Sequence, residues 1–91
     1  MKSLPQNVNA YKKTPEFTEQ TVPKGLLKNH QTKAGVWGKI IILEGQLDYT
    51  IIEPDKETIR LSTERSGVVE PTMLHYVEPC NSVRFYVEFY K

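Results

Sequence analysis

The chain predicts an all-β fold in one small domain. Residues 83–89 alternate strictly, with Val83, Phe85, Val87 and Phe89 on one face and Arg84, Tyr86 and Glu88 on the other. Short strand-like runs recur at intervals of roughly ten residues, bounded by turn formers. No window combines a helical apolar period with a cap, so little helix is expected. With 91 residues, 38% hydrophobic and 25% charged, the composition is that of an ordinary globular domain. A sandwich or barrel satisfies all of these.

Residues 1–25 hold Pro5, Pro15 and Pro23, half of the six prolines. Proline removes a backbone donor and biases its predecessor toward β, so this stretch reads as an extended arm with short strands. Phe17 is expected to dock on a body formed by residues 26–91. Residues 36–43 form a branched, apolar strand that ends at Glu44-Gly45. Residues 46–53 alternate, with Leu47, Tyr49 and Ile51 on the inner face, and the two runs read as a hairpin. Pro54-Asp55-Lys56 marks the next turn. Residues 57–62 follow as a strand with Ile59 and Leu61 inward, then a loop over residues 63–67. Residues 68–70 and 75–78 are short strands around a bend, and Pro79-Cys80-Asn81-Ser82 turns into the last strand.

Charge and cysteine usage bound the function. The net charge is +1, which disfavours a nucleic-acid partner, because phosphate contacts need a positive surplus. No apolar run approaches the ~20 residues of a membrane span, and no secretory h-region follows Met1, so a cytoplasmic protein is expected. Cys80, the sole cysteine, agrees with a reducing compartment. Its turn holds no cation or base to lower its pKa. Seven lysines fall in residues 1–39 against Glu16 and Glu19, and nine acids fall in residues 40–91 against five bases. Lys24, Lys28 and Lys33 flank His30, which reads either as a solvated segment or as an anion-attracting mouth.

The only two histidines, His30 and His75, each stand beside an apolar strand-like run. A small barrel brings such positions to one mouth, where imidazoles can hold a metal. Glu70, five residues before His75, is a candidate third ligand. A His₂-carboxylate set suits zinc or ferrous iron; the alternative is a carboxylate at a strand end. Trp37 reads as core or as a pocket wall with its indole N–H available. Arg84 and Tyr86 share one face of the last strand and are candidates for an oxyanion or for cross-strand pairing. No Ser/His/Asp or Cys/His nucleophilic set is visible, and no acid–base carboxylate pair stands out.

Several strings together carry a family resemblance. His30-Gln31-Thr32-Lys33-Ala34-Gly35-Val36-Trp37-Gly38-Lys39, Leu43-Glu44-Gly45-Gln46-Leu47, Gly67-Val68-Val69-Glu70-Pro71, His75-Tyr76-Val77-Glu78-Pro79 and residues 83–89 resemble the TehB/YeaR-like domain of bacteria. The resemblance spans nearly the whole chain, 1–91. It implies a cupin-like double-stranded β-helix, a jelly-roll barrel, and a link to tellurite resistance and stress response. In one branch of that family the domain is fused to an S-adenosylmethionine-dependent methyltransferase. No Gly-rich strand-to-helix turn for that cofactor occurs here, so no S-adenosylmethionine site is expected and the chain leans away from being an enzyme. Against the usual cupin ligands, His30 and Thr32 occupy the first pair, Gly38 falls at the glutamate position, and His75 is the final histidine. The expectation is a module that binds a small molecule or oxyanion, with or without a divalent metal (zinc or iron). A small metal-dependent enzyme and an assembly domain are the alternatives. Cupins commonly pair sheets edge to edge, so a homodimer is also compatible.

Overall fold

The computed structural model describes residues 1–53 and 55–91, which leaves Pro54 of the expected second turn outside the described residues. The strands are β1 (Ala10–Lys13), β2 (Phe17–Thr18), β3 (Trp37–Ile51), β4 (Glu57–Leu61), β5 (Gly67–Val69) and β6 (His75–Tyr90). A single 3-10 turn, Lys24–Leu27, is the one helical element among the described residues. The all-β expectation is therefore borne out. All pairings are antiparallel, in the order β1-β6-β3-β4, with β2 also on β6 and β5 also on β3. Among the described residues no helix is long and apolar enough to cross a membrane.

The expected hairpin between residues 36–43 and 46–53 does not form. Both runs belong to one strand, β3, of 15 residues. Likewise Pro79-Cys80-Asn81-Ser82 lies inside β6 rather than ending a strand. The two turn signals face each other in the β3–β6 ladder, where the register shifts between Ile42 and Glu44 and again between Gly45 and Gln46. Gly45 (φ 77) and Asn81 (φ 63) both adopt the left-handed conformation there. A Cβ on Gly45 would overlap the carbonyl oxygen of Ser82, so the approach requires glycine. Paired left-handed residues thus bend a ladder instead of reversing a chain.

The bend folds the sheet over on itself. Extended, residues 39–49 would span about 33 Å at ~3.3 Å per residue. Yet the Tyr49 hydroxyl donates to the Val68 carbonyl at 3.0 Å, and Val68 is the sheet partner of Lys39. The two halves of β3 must therefore face one another. Gly67 permits the close approach, because a Cβ there would meet Leu61 Cδ1 at 2.8 Å and Tyr49 Cδ2 at 3.3 Å.

Period-two alternation now explains the core. Ile40, Ile42, Leu47, Tyr49 and Ile51 of β3 point between the layers, as do Val77, Val83, Phe85 and Val87 of β6. Ile59, Leu61 and Val69 close the sides. Each such side chain contributes about 1.5–3 kcal/mol through burial. The proline-rich segment supplies β1 and β2 along the outer edge of β6, and Phe17 meets Phe85 edge-on at 5.7 Å, as its expected docking requires.

Candidate functional site

A cavity of about 260 Å³ lies between the two layers. Its walls are hydrocarbon from Ile40, Val69, Val77, Phe85, Val87 and Phe89. Phe17 of β2 and Leu26 of the 3-10 turn cover it from the side. The polar side chains that reach it are Thr14, Thr32, His30 and His75. Its position follows from the bend, because each layer contributes one wall.

His30 and His75 come together more closely than the sequence implies. Their backbones form a two-bond antiparallel bridge, His30 N–H to the His75 carbonyl at 2.8 Å and the reverse at 2.9 Å. The rings meet edge to face, with centroids 5.4 Å apart and planes at 84°. Tyr49 packs edge-on against His75 at 5.6 Å. The His75 Nδ1 lies 3.0 Å from the Met73 carbonyl. A carbonyl only accepts, so Nδ1 carries the hydrogen and Nε2 is left with a lone pair. Among the described residues nothing donates to that Nε2. Burial pushes the His75 pKa down, the Met73 bond opposes this, and the charge of His30 adds to the lowering. His75 is therefore a neutral acceptor at ordinary pH. The Nδ1 of His30 is also buried without a partner.

Thr32 braces this end. Its hydroxyl donates to the Val36 carbonyl at 2.8 Å, and its carbonyl accepts from Thr72 N–H at 3.2 Å. Thr32 thus fastens the 30–36 loop, and its hydroxyl already has a partner.

The remaining sequence candidates fall elsewhere. Among the described residues no three His, Cys, Asp or Glu side chains gather to hold a metal. Glu70 does not join the histidines; its carboxylate lies 3.5 Å from the Lys2 ammonium. Trp37, Arg84 and Tyr86 lie outside the cavity, on the face opposite the inward set. Gly38 sits inside, since a Cβ there would meet Val69 at 3.3 Å, and this parity turns Trp37 outward. Arg84 bridges Glu44 at 2.9 Å and Glu16 at 3.2 Å. Tyr86 lies beneath the Lys13 ammonium at 5.6 Å. Lys24, Lys28 and Lys33 are exposed. Burial and the neighbouring Asp48 raise the Cys80 thiol pKa, which agrees with an unreactive thiol. Sequence reasoning missed Leu26 and Thr14 as wall residues; the Val22-Pro23-Lys24-Gly25 turn was the available signal for the first, and nothing marked the second.

Comparison with known proteins bears on this arrangement. The family described as TehB-like domain matches residues 12–87. A Haemophilus influenzae protein described as probable S-adenosyl-L-methionine-dependent methyltransferase TehB is 33% identical over 72 residues, covering 75% of this chain and 25% of that protein. Its counterpart in a second strain is 31% identical over the same length. The chain thus spans about a quarter of the curated relatives it matches. The crystal structure of TehB from Haemophilus influenzae superposes with a TM-score of 0.85 at 28% identity, over 93% of this chain and 32% of that one. A crystal structure of an Escherichia coli K12 protein superposes with a TM-score of 0.88 at 23% identity, over 100% of this chain and 97% of that one, and so shares the fold.

Proposed function

The chain belongs to the TehB-like domain family, and from that premise we propose that it is a small-molecule-binding module in tellurite resistance. Its ligand occupies the interlayer cavity beside His30 and His75. One observation carries this reading: a cavity of about 260 Å³ with hydrocarbon walls converges on the half-buried His30 and the buried His75, the second a neutral acceptor with no donor among the described residues. Concave apolar sites with a few placed polar groups are the usual form of ligand pockets. Binding, rather than catalysis, suits the lining, because its polar side chains are two threonines and two imidazoles. The methyltransferase activity named for the relatives is not carried over, since this chain matches about a quarter of them. S-adenosylmethionine carries fixed charges that the cavity walls do not match. Cys80 suits a reducing compartment, and we place the module in the cytoplasm.

A second reading, a divalent metal held by the two histidines, is favoured by the Met73 bond. A backbone carbonyl that fixes Nδ1–H and frees Nε2 is the usual outer support of a metal-bound imidazole. Zinc or iron would then take its other ligands from water or the bound molecule, because Glu70 is engaged by Lys2. Elemental analysis of the wild type and His75→Ala decides this: equal metal content in both sinks the metal reading. For the cavity, amide chemical shifts are followed during titration with small aromatic fragments. Shifts at His30, Thr32, Val77 and Phe85 are expected. Shifts confined to Trp37, Arg84 and Tyr86 would move the site to the outer face and overturn the reading.

A further inference from the structure

Granting the ligand-binding role proposed above, the cavity constrains its occupant more tightly than the family does. About 260 Å³ lies just below the ~300 Å³ at which sites for drug-sized ligands begin. A site of that size suits a compact ligand of about one substituted six-membered ring. Aromatic and branched side chains from both layers form the walls, which suits a flat or compact hydrocarbon body.

The same walls offer a charge no partner. A buried anion needs a cation or several donors. The three lysines near His30 in sequence are exposed and outside the lining. Arg84 is engaged by Glu16 and Glu44 on the other face. A buried cation would need a carboxylate, yet no acid lines the cavity and Glu70 faces Lys2. Oxyanions, carboxylates and ammonium compounds are therefore poor occupants.

One polar demand remains. The His75 Nε2 lone pair has no donor among the described residues, and the Nδ1 of His30 is buried without a partner beside it. An apolar body in the cavity would shut the His75 Nε2 off from water, so a ligand that also supplies a donor gains more than its hydrocarbon alone provides. We infer that the pocket takes an uncharged, mainly apolar molecule about the size of a substituted benzene ring, whose single hydroxyl or N–H donates to the imidazole of His75.

Phenol and toluene test this directly, because they match in size and differ in the donor. Benzoate and tellurite supply the charged controls. Binding of each to the wild type and His75→Phe is measured by amide chemical-shift titration at neutral pH. In the wild type phenol should bind at least about fivefold more tightly than toluene, the effect of one buried hydrogen bond. Benzoate and tellurite should bind on the order of 100-fold more weakly than phenol, reflecting desolvation of an unpaired charge. In His75→Phe the order should reverse, toluene binding more tightly as the more apolar ring. Silence of all pocket resonances toward all four compounds would remove the pocket reading itself. Benzoate or tellurite binding as tightly as phenol in the cavity would leave the pocket reading standing and overturn the uncharged class. Equal binding of phenol and toluene to the wild type would overturn the donor requirement, without reference to whether the variant folds.

Discussion

The hydroxyl of Tyr49 donates to the carbonyl of Val68 at 3.0 Å, although Val68 is paired with the opposite half of Tyr49's own strand. This bond crosses between the layers and records how far β3 has bent. Tyr49 is fully buried, and burial, with the charges of Glu70 and Glu57, pushes its pKa well above the ordinary phenol value. It stays a donor at every pH at which the protein is handled.

Tyr49→Phe removes that donor and leaves the ring in place. The cost should be about 1–2 kcal/mol, since the Val68 carbonyl loses its side-chain donor. Urea denaturation should show a lower midpoint with an unchanged slope. An unchanged midpoint would mean that packing alone holds the layers together.

Gly45→Ala attacks the bend itself. The left-handed backbone costs roughly 1 kcal/mol with any side chain, and the added methyl also overlaps the Ser82 carbonyl oxygen. A loss of about 3 kcal/mol or more is expected, visible as a large fall in Tm. A variant that melts within a few degrees of the wild type would show that the ladder shifts freely at this point.

His75 makes stability depend on pH. Its pKa in the folded chain lies below the ordinary value of about 6.5, chiefly through burial. Between that lowered value and about 6.5 the unfolded chain binds more protons than the folded one. Stability is thus complete above about pH 6.5 and declines as the pH falls toward the folded value. Tm recorded from about pH 7.5 to about pH 5 should fall more steeply for the wild type than for His75→Phe. Parallel curves would assign the acid sensitivity to other groups.

The Asp48–Arg60 pair offers a contrast. Its two bonds, at 2.9 and 3.2 Å, lower the Asp48 pKa, yet the Arg60 side chain is 59% exposed. Such surface pairs contribute about 0–1 kcal/mol. Asp48→Asn should leave the urea midpoint within that range, and a loss comparable to that of Tyr49→Phe would refute the assignment.

Much of this was legible in the residues. The alternation of Val83, Phe85, Val87 and Phe89 correctly assigns the inner face of β6, and Leu47, Tyr49 and Ile51 do the same for half of β3. The near-continuous apolar run from Ile40 to Leu43 carries no parity signal, so nothing in it says that Trp37 faces away from the cavity. Glu44-Gly45 and Pro79–Ser82 carry ordinary turn chemistry. What makes them a bend is that each lies opposite the other in the ladder, which only long-range pairing determines. His30 and His75 were legible as neighbours at one end of a β domain. The loss of Glu70 from their company was not, because its carboxylate lies instead beside Lys2, 68 residues away in the chain.

The bent β3–β6 ladder also dictates an order of events. Ile51 and His75 are its closest partners along the chain, while Trp37 and Tyr90 are its most distant. Closing the short loop first is entropically cheaper, so pairing should zip from Ile51 toward Trp37. The cavity draws walls from both ends of that ladder, with Val77 near the first pairs and Phe89 near the last. A binding site assembled this way does not exist in any half-zipped chain. In refolding experiments, competence to bind should emerge with the slowest phase, and binding by an earlier intermediate would contradict this order.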